Sequence, residues 1–248
     1  MIGIIGGSGL SSVEEIEVLN KKTINTPYGK PSAELIVGVV DKKKIIFLPR
    51  HGGMHTIAPH LINYRANIWA LQEMGVDKIV AVTAVGGISA ELGPGVIAIP
   101  HQVIDYTSGR ENSFYDGVLN ELKHIDFTEP YSELVRNQLF RAAKQCKVPV
   151  VERGVYAATQ GPRLETASEI TRLESDGATL VGMTGMPEAA LARELNLKYA
   201  TISVVANWAA GKGNSKKGIE VGSIDRVLTL AMKKVREILI KFLSEDLL

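Results

Sequence analysis

The stretch MIGIIGGSGL at residues 1–10 places a short apolar run, residues 2–5, directly before a glycine-rich turn. Both faces of the run are apolar, which is typical of a strand buried in a sheet that helices cover on each side. Seven further runs have the same character, at residues 35–40, 44–48, 78–82, 96–99, 154–158, 179–181 and 199–205. The opening stretch therefore predicts the first strand of a largely buried sheet.

Helical patterns lie between these strands, at residues 63–74, 131–145, 165–174, 187–195 and 223–243. The first pattern ends at Gly75, a residue type that commonly terminates helices. Pro187 opens the fourth pattern at a first-turn position, and Ser223 is expected to cap the last. Because strand and helix alternate, the predicted class is α/β. With no linker, repeat or break in composition, we expect one domain over residues 1–248.

The 248 residues include 28 basic and 27 acidic side chains. A near-neutral chain without a basic run gives no electrostatic reason to expect a nucleic-acid partner or an anionic membrane surface. Cys146 is the only cysteine, which excludes an intramolecular disulfide and a cysteine-based zinc site and suits a reducing compartment. The chain has no signal-peptide pattern and no apolar run near the ~20 residues of a spanning helix, so we expect a cytoplasmic protein.

Glycine and polar residues cluster where the predicted strands end, the edge at which open α/β sheets bind ligands. Three clusters suit an anion: GGSGL at 6–10, PRHGG at 49–53 and TAVGG at 83–87. Glycines let backbone N–H groups approach an anion closely, and Arg50 and His51 add side-chain donors. Each cluster alone is also explained by a tight turn, but three in one chain favour anion binding. None carries the lysine of a P-loop.

Two other clusters contain polar residues beside apolar ones. In GPRLE at 161–165, the pattern alone favours Glu165 as an ordinary exposed carboxylate at a helix start. In the second cluster, residues 182–188 and 206–209 follow two predicted strands. Asn207 there would be a costly buried amide unless it forms hydrogen bonds.

His51, His55 and His60 raise the possibility of a metal site. Glycine and proline between them exclude a regular helix, and no HExxH motif is present, so we expect no metal. The chain also has no Gly-x-Ser-x-Gly motif for a hydrolase serine.

The chain resembles the trimeric purine nucleoside phosphorylase and methylthioadenosine phosphorylase family over nearly its whole length. The matching stretches are IIGGSGL, TPYGKPS, RHGGMHTIAPHLINYRANIWAL, TAVGG, PGVIAIPHQVIDYT, SFYDG, QGPRLET, GMTGMPEAALARE and SIDRVL. Within the family, TSGRE, HIDF, TQGPRLET and TGMPEAALAREL match the bacterial subgroup that acts on S-methyl-5′-thioinosine.

This resemblance implies a single α/β domain with a twisted mixed sheet flanked by helices, a homotrimer, and no cofactor beyond inorganic phosphate as co-substrate. By motif, the phosphate-binding residues would be Ser8, Arg50, His51, Thr83, Ala84 and Thr184. Those that contact the nucleoside would be Met183 at the ribose, Glu165, Asn207, Trp208 and Ala209 at the base, and Ile224 at the 5′ substituent. His124 would reach into a neighbouring subunit's site, and Asn207 and His51 would be the catalytic residues.

The expected substrate follows from the hydrogen-bonding groups of the base. An ionised Glu165 only accepts hydrogen bonds, so it suits the N1–H of a 6-oxopurine and opposes the lone pair on N1 of adenine. The resemblance implies that adenine-specific relatives carry serine at this position and acidic residues at those of Asn207 and Ala209. The resemblance also implies that relatives acting on inosine or guanosine carry a histidine, which binds the 5′-hydroxyl, at the position of Ile224. The apolar side chain of Ile224 would suit a methylthio group instead.

These features together describe methylthioinosine, with release of hypoxanthine and 5-methylthio-ribose 1-phosphate. An inosine or guanosine phosphorylase is the second reading, and a methylthioadenosine phosphorylase the third. A hydrolase that uses water, or a nucleotide-binding module without catalysis, belongs to a different functional class.

Overall fold

The backbone of the computed structural model is organised around one mixed β-sheet, and the structure describes residues 1–10, 16–115, 117 and 121–245. Its strands are β1 (Ile2–Gly6), β2 (Glu17–Lys22), β3 (Leu35–Val40), β4 (Lys43–Pro49), β5 (Lys78–Gly87), β6 (Ile97–Ala98), β7 (Gln102–Asp105), β8 (Val155–Ala158), β9 (Leu180–Gly182) and β10 (Lys198–Trp208). The sheet order is β2-β3-β4-β1-β5-β9-β8-β7, and β10 pairs with both β5 and β6.

A gap in strand pairing opens the centre of the sheet. Strand β1 lies parallel to β5 and pairs with it as far as Ala81. Strand β9 lies antiparallel to β5 and pairs at Gly86 and Gly87. The edge of β5 between Ala81 and Gly86 therefore faces the ends of β1 and β9, while β10 pairs with its opposite edge. The ligand-binding edge that the sequence predicted lies here.

In the described residues, five α-helices cover the sheet: α1 (Tyr64–Glu73), α2 (Glu133–Gln145), α3 (Ala167–Ser175), α4 (Glu188–Glu194) and α5 (Val221–Glu245). Buried residues of α2 and α5 pack with strand residues in one hydrophobic core. Those of α1 and α4 pack in a second core, on residues that alternate with the first along the strands. The strands are thus apolar on both faces because helices cover both, as the sequence predicted.

Local sequence explains where several helices begin and end. The Asn63 side chain caps α1 by accepting the Ala66 N–H at 3.0 Å. The same helix ends at Gly75, whose φ of +77° would strain any other residue. Thr166 and Glu169 form a reciprocal capping box at the start of α3.

The structure confirms the predicted α/β class, the mixed sheet and all thirteen predicted elements, with shifts at their ends. The predicted starts of two helices were wrong. Helix α5 begins at Val221, so Ser223 lies inside it and is not its cap. Pro187 occupies the N-cap position of α4 and not its first turn. Among the described residues, no helix is both long and apolar enough to cross a membrane.

Two strands were missed. All six residues of β2 are exposed, and within the described part of the chain this edge strand pairs with β3 alone. Its sequence EVLNKK therefore has no long apolar run to reveal it. Strand β7 at the opposite edge has four residues and is only partly buried. Edge strands need less apolar sequence than central ones, which explains both omissions.

Candidate active site

A pocket of about 570 Å³ lies at the gap between the ends of β1 and β9 and extends along the first turns of α5. Eleven of the thirteen predicted site residues line it. They are Ser8, Arg50, His51, Thr83, Ala84, Glu165, Met183, Thr184, Asn207, Ala209 and Ile224. Residues from the three glycine-bearing clusters and from both later clusters therefore meet in one place.

Arg50 lies at the floor of the pocket and is fully buried. Its Nε and Nη2 donate to the two carboxylate oxygens of Glu188, each at 2.7 Å, and its Nη1 donates to the carbonyl of Val82 at 2.9 Å. The Tyr199 hydroxyl donates to the same carboxylate at 2.9 Å. Burial alone would lower the pKa of Arg50, but the charge and hydrogen bonds of Glu188 outweigh it and raise the pKa.

This ion pair weakens the contribution that Arg50 can make to binding an anion. Three of the five guanidinium N–H groups are engaged by Glu188 and Val82. A charge paired with a buried carboxylate acts on a ligand as part of a dipole, so its field in the pocket is weaker than that of an isolated arginine. Direct contact between Arg50 and phosphate stays a prediction.

Gly7 must lack a side chain for this arrangement to form. A Cβ at this position would lie 2.6 Å from the Val82 carbonyl oxygen and 2.7 Å from Arg50 Nη1. The turn after β1 is therefore packed directly against the buried guanidinium.

His51 is neutral at physiological pH. Burial, followed by the positive charge of Arg50, lowers the pKa of His51 to about 4. Its Nδ1 lies 2.8 Å from the carbonyl oxygen of Ile57. Because a carbonyl only accepts, Nδ1 carries the proton, and Nε2 has a free lone pair. The sequence suggested a donor here, but the neutral ring offers the pocket an acceptor.

Thr83 and Ala84 lie within β5 and not in a turn after it, since the strand runs on to Gly87. Thr83 Oγ1 lies 2.9 Å from Ser203 Oγ on β10, which fixes the threonine rotamer. Across the gap, Ser8 Oγ lies 3.2 Å from Nε2 of His55. A hydroxyl of strand β5 and one of the turn after β1 thus border the same pocket.

Two polar side chains mark the opposite end of the pocket. Glu165 accepts a hydrogen bond from Thr159 Oγ1 at 2.7 Å through one carboxylate oxygen. Asn207 Nδ2 donates to the carbonyl of Trp208 at 2.7 Å, which fixes the orientation of the amide. The pairing of β10 with β5 shifts register between Val205 and Asn207. Glu165 is thus a half-buried pocket residue, and not the exposed surface carboxylate that the sequence pattern favoured.

The side of the pocket formed by α5 and the residues before it is mainly apolar. Ile219, Ile224 and Leu228 line it, with Asp225 and Thr229 also bordering the space. Leu228 is buried and Asp225 is exposed, so the apolar side chains lie deeper.

Two predicted site residues lie outside this pocket. Trp208 does not line it. Its indole instead packs against Gly213 and Gly93, where an added Cβ would lie 2.5 Å and 3.1 Å from the ring. Side chains alternate along a strand, so Trp208 points away from the face that carries Asn207 and Ala209. His124 is exposed and also lies outside the lining, so its predicted role depends on a neighbouring subunit.

Sequence reasoning missed Glu188 and gave no binding role to His55. Glu188 ends the stretch GMTGMPE at 182–188, but nothing in that stretch indicates its partner Arg50, which lies 138 residues away. His55 lines the pocket and its ring centroid lies 4.5 Å from that of His51. The spacing of the histidines in RHGGMH was the available signal, but it was considered only for a metal.

The pocket thus combines the hydroxyls of Ser8 and Thr83 and the acceptor nitrogen of His51 with the carboxylate of Glu165 and the amide of Asn207. Comparison with known proteins identifies the protein family. The sequence model of the phosphorylase superfamily matches residues 1–244, so the chain belongs to this family of enzymes. This match confirms the resemblance that the motifs indicated.

Several individual proteins of known or assigned activity are similar to the chain over most of its length. Over 241 residues the chain is 49% identical to a protein of Pseudomonas syringae pv. tomato named probable S-methyl-5′-thioinosine phosphorylase, covering 97% of each. It is 47% identical to the 6-oxopurine nucleoside phosphorylase of Pyrococcus furiosus, covering 87% of this chain and 82% of that one. Methylthioadenosine phosphorylase from Schistosoma mansoni, solved with adenine, has a TM-score of 0.93 at 32% identity, covering 98% and 90% of the two chains.

Proposed function

We propose that the protein catalyses the phosphorolysis of S-methyl-5′-thioinosine to hypoxanthine and 5-methylthio-ribose 1-phosphate, within purine salvage. The observation that carries this proposal is that Glu165 and the apolar residues of α5 border one pocket. The names of several similar proteins support it, including the Pseudomonas relative.

In the proposed complex, phosphate binds among Ser8, His51, Thr83, Ala84 and Thr184, next to the buried Arg50. The neutral His51 supports binding of the hydrogen phosphate dianion, because its free Nε2 lone pair accepts the one phosphate O–H. Backbone N–H groups and hydroxyls then donate to the other oxygens. The oxygen that faces the sugar remains unprotonated and can act as the nucleophile.

The reaction needs positioning more than covalent chemistry. A phosphate oxygen bonds to C1′ as the C1′–N9 bond breaks, and the bonding electrons pass to the purine. The purine anion then takes up a proton from solvent to give hypoxanthine, and the sugar 1-phosphate releases the proton of the hydrogen phosphate to solvent. Asn207 Nδ2 keeps one N–H after its bond to Trp208 and can donate it toward N7, where negative charge develops. No covalent enzyme intermediate, metal or cofactor enters this scheme, and Asn207 and His51 carry the catalytic roles.

Selection of the base follows from Glu165. Thr159 already donates to one carboxylate oxygen, so the second oxygen is the acceptor for the N1–H of hypoxanthine. Adenine has a lone pair on N1, which would face that oxygen without a proton between them. A site built to pair with one set of donors and acceptors rejects the reversed set by as much as ~10⁴-fold.

Selection at the 5′ end follows from α5. Ile219, just before α5, and Ile224 and Leu228 on it offer apolar surface to a methylthio group. The polar side chains on this side, Asp225 and Thr229, are more exposed than these three. An inosine or guanosine phosphorylase is the second candidate function, because the Pyrococcus relative is named a 6-oxopurine nucleoside phosphorylase. The two candidates differ only in the group expected at this end.

We also propose a cytoplasmic homotrimer in which His124 completes the site of a neighbouring subunit. Large apolar side chains are exposed near the pocket-lining residues His55 and Pro59, with Met54 87% exposed and Leu61 68% exposed. Leu122, close to His124 in sequence, is 70% exposed. Burial of such residues between subunits would stabilise an assembly.

A panel of three nucleosides tests the proposed substrate. Purified protein is assayed with saturating phosphate and methylthioinosine, inosine or methylthioadenosine, and the released base is quantified by chromatography. We expect kcat/KM to be highest for methylthioinosine. A higher value for methylthioadenosine would contradict the role of Glu165, and a higher value for inosine would contradict that of the α5 side chains.

A further inference from the structure

Arg110, in the segment after β7, joins two loops through its guanidinium group. Nη1 donates to the carbonyls of Met183 at 2.9 Å and Met186 at 2.6 Å. Nη2 donates to the carbonyls of Thr159 at 3.2 Å and Gln160 at 2.9 Å. Nε donates to the side-chain oxygen of Gln160 at 3.1 Å. One planar cation therefore links the two loops beyond the point where strand pairing already joins them, at the Thr159 N–H that donates to the Gly182 carbonyl at 2.8 Å.

These two loops lie side by side, since a Cβ on Gly161 would be 2.4 Å from Met183 Sδ, and both lead to residues that line the pocket. The first loop leads to Glu165, whose carboxylate is held by the Thr159 hydroxyl. The second contains Met183 and Thr184, which line the pocket directly after β9. A change in the distance between the loops would therefore move Glu165 relative to Met183.

The guanidinium of Arg110 is itself held in place. It stacks on the Tyr64 ring at 5.4 Å, and Nη1 lies 3.2 Å from the Tyr64 hydroxyl. The segment that follows is anchored by the buried carboxylate of Glu194. This carboxylate accepts the Ser113 hydroxyl and the Phe114 N–H, each at 2.7 Å. Arg110 is thus a preorganised connection between the loops.

We propose that Arg110 is a positioning residue that sets the preference for the base by holding Glu165 and Met183 at a fixed separation. Arg110 does not line the pocket, so it acts through the two loops. This inference rests on the proposed function for its kinetic test, but the predicted mobility of the loops can be measured without it.

Arg136 provides a matched control. It also donates to backbone carbonyls, those of Pro100 at 2.9 Å and Glu152 at 2.6 Å, and its side chain is buried. It does not line the pocket or contact either loop that Arg110 joins. Arg136→Lys therefore removes a comparable structural arginine without changing the proposed connection.

Arg110→Lys keeps the positive charge, but a single ammonium group cannot span four carbonyls. We expect the KM for methylthioinosine to rise roughly tenfold, and the preference for methylthioinosine over methylthioadenosine to fall by about the same factor, because small displacements at a reacting site have large effects. The KM for phosphate should change less, since most of its proposed ligands lie on β5 or directly after β1 and β4. Arg136→Lys should lower thermal stability but leave the substrate preference unchanged.

Hydrogen exchange gives a second readout that does not require turnover. Backbone amides in residues 159–165 and 183–186 should exchange faster in Arg110→Lys than in the parent protein, and should be unchanged in Arg136→Lys. If Arg110→Lys does not fold, Gln160→Leu removes the acceptor of Arg110 Nε and should shift both readouts in the same direction by a smaller amount.

Unchanged exchange in both loops would overturn the proposal, as would an unchanged preference for the base in an active variant. Equal effects of the Arg110 and Arg136 variants would reduce Arg110 to a structural residue. If the parent protein releases no purine, the proposed function fails separately, and the exchange comparison still decides whether Arg110 holds the loops.

Discussion

Glu188→Gln isolates the contribution of the buried ion pair beneath the pocket. Both side chains of the Arg50–Glu188 pair are 0% exposed, and their nitrogen and oxygen atoms are 2.7 Å apart. The substitution keeps the size of the side chain but removes its charge. It also places an amide N–H₂ where one carboxylate oxygen now accepts from Arg50. The guanidinium is then left buried with an uncompensated charge and one donor facing another donor.

The magnitude follows from burial. Removing one partner of a buried pair costs about 3–5 kcal/mol, because the remaining charge keeps its desolvation penalty. For a protein of this size, each kcal/mol lowers Tm by roughly 2–4 °C. We therefore expect Glu188→Gln to lower Tm by about 6–20 °C.

Glu169→Gln is the matched control. Glu169 forms the same two-pronged contact with Arg163, at 2.7 and 2.8 Å, but on the surface. The hydrogen bond from Arg163 lowers the pKa of Glu169 to about 2, yet solvent screens such a pair, and glutamine can still serve in the capping box of α3. Its Tm should change little.

The assay is thermal unfolding followed by circular dichroism, with all proteins at one concentration, pH 7 and without phosphate. Equal shifts in Tm for the two variants would refute the argument that burial determines the effect. A shift of less than about 2 °C for Glu188→Gln would do the same.

Three further outcomes are expected. Glu165→Ser should raise the kcat/KM ratio of methylthioadenosine to methylthioinosine, because serine can donate to N1 of adenine; an unchanged ratio would contradict the assignment of Glu165. Ile224→His should shift preference from methylthioinosine toward inosine by roughly tenfold, the effect of about one hydrogen bond, measured by competition between the two nucleosides. Stability should fall as pH drops from about 6.5 to 4, because the lowered pKa of His51 lets only the unfolded chain take up a proton there. His51→Asn should flatten this part of the Tm–pH curve, and identical slopes would show that His51 is not the group responsible.

The sequence predicted the ligand-binding edge because its signals are local. Glycines and polar residues directly follow apolar runs at Gly6, Arg50 and Met183, and strand pairing brings such ends to one edge. The pairing that holds Arg50 was not predictable in the same way. Its partner Glu188 lies 138 residues away, and no local pattern distinguishes it from a surface carboxylate.

Trp208 shows a different limit. The run Asn207, Trp208 and Ala209 was treated as continuous along the base, but side chains of a strand alternate between faces. Because β10 continues to Trp208, the indole points away from its two neighbours. Extension of the predicted strand by three residues beyond Val205 would have placed it correctly.

The protonation state of His51 also needed the structure. A histidine next to an arginine at a strand end indicated a hydrogen-bond donor. Burial and the carbonyl of Ile57 depend on the folded chain, and together they leave the free nitrogen as an acceptor. A sequence identifies the residue type at such a position but not its ionisation.

The central claim is that phosphate attacks the sugar of a purine nucleoside in this pocket. Phosphorus-31 NMR of the protein with methylthioinosine and inorganic phosphate tests it directly, with hypoxanthine measured in the same sample. One new sugar 1-phosphate should form for each hypoxanthine released, and no hypoxanthine should be released when phosphate is left out. Hypoxanthine formed at full rate while the inorganic phosphate signal stays constant would identify a hydrolase and rule out phosphorolysis.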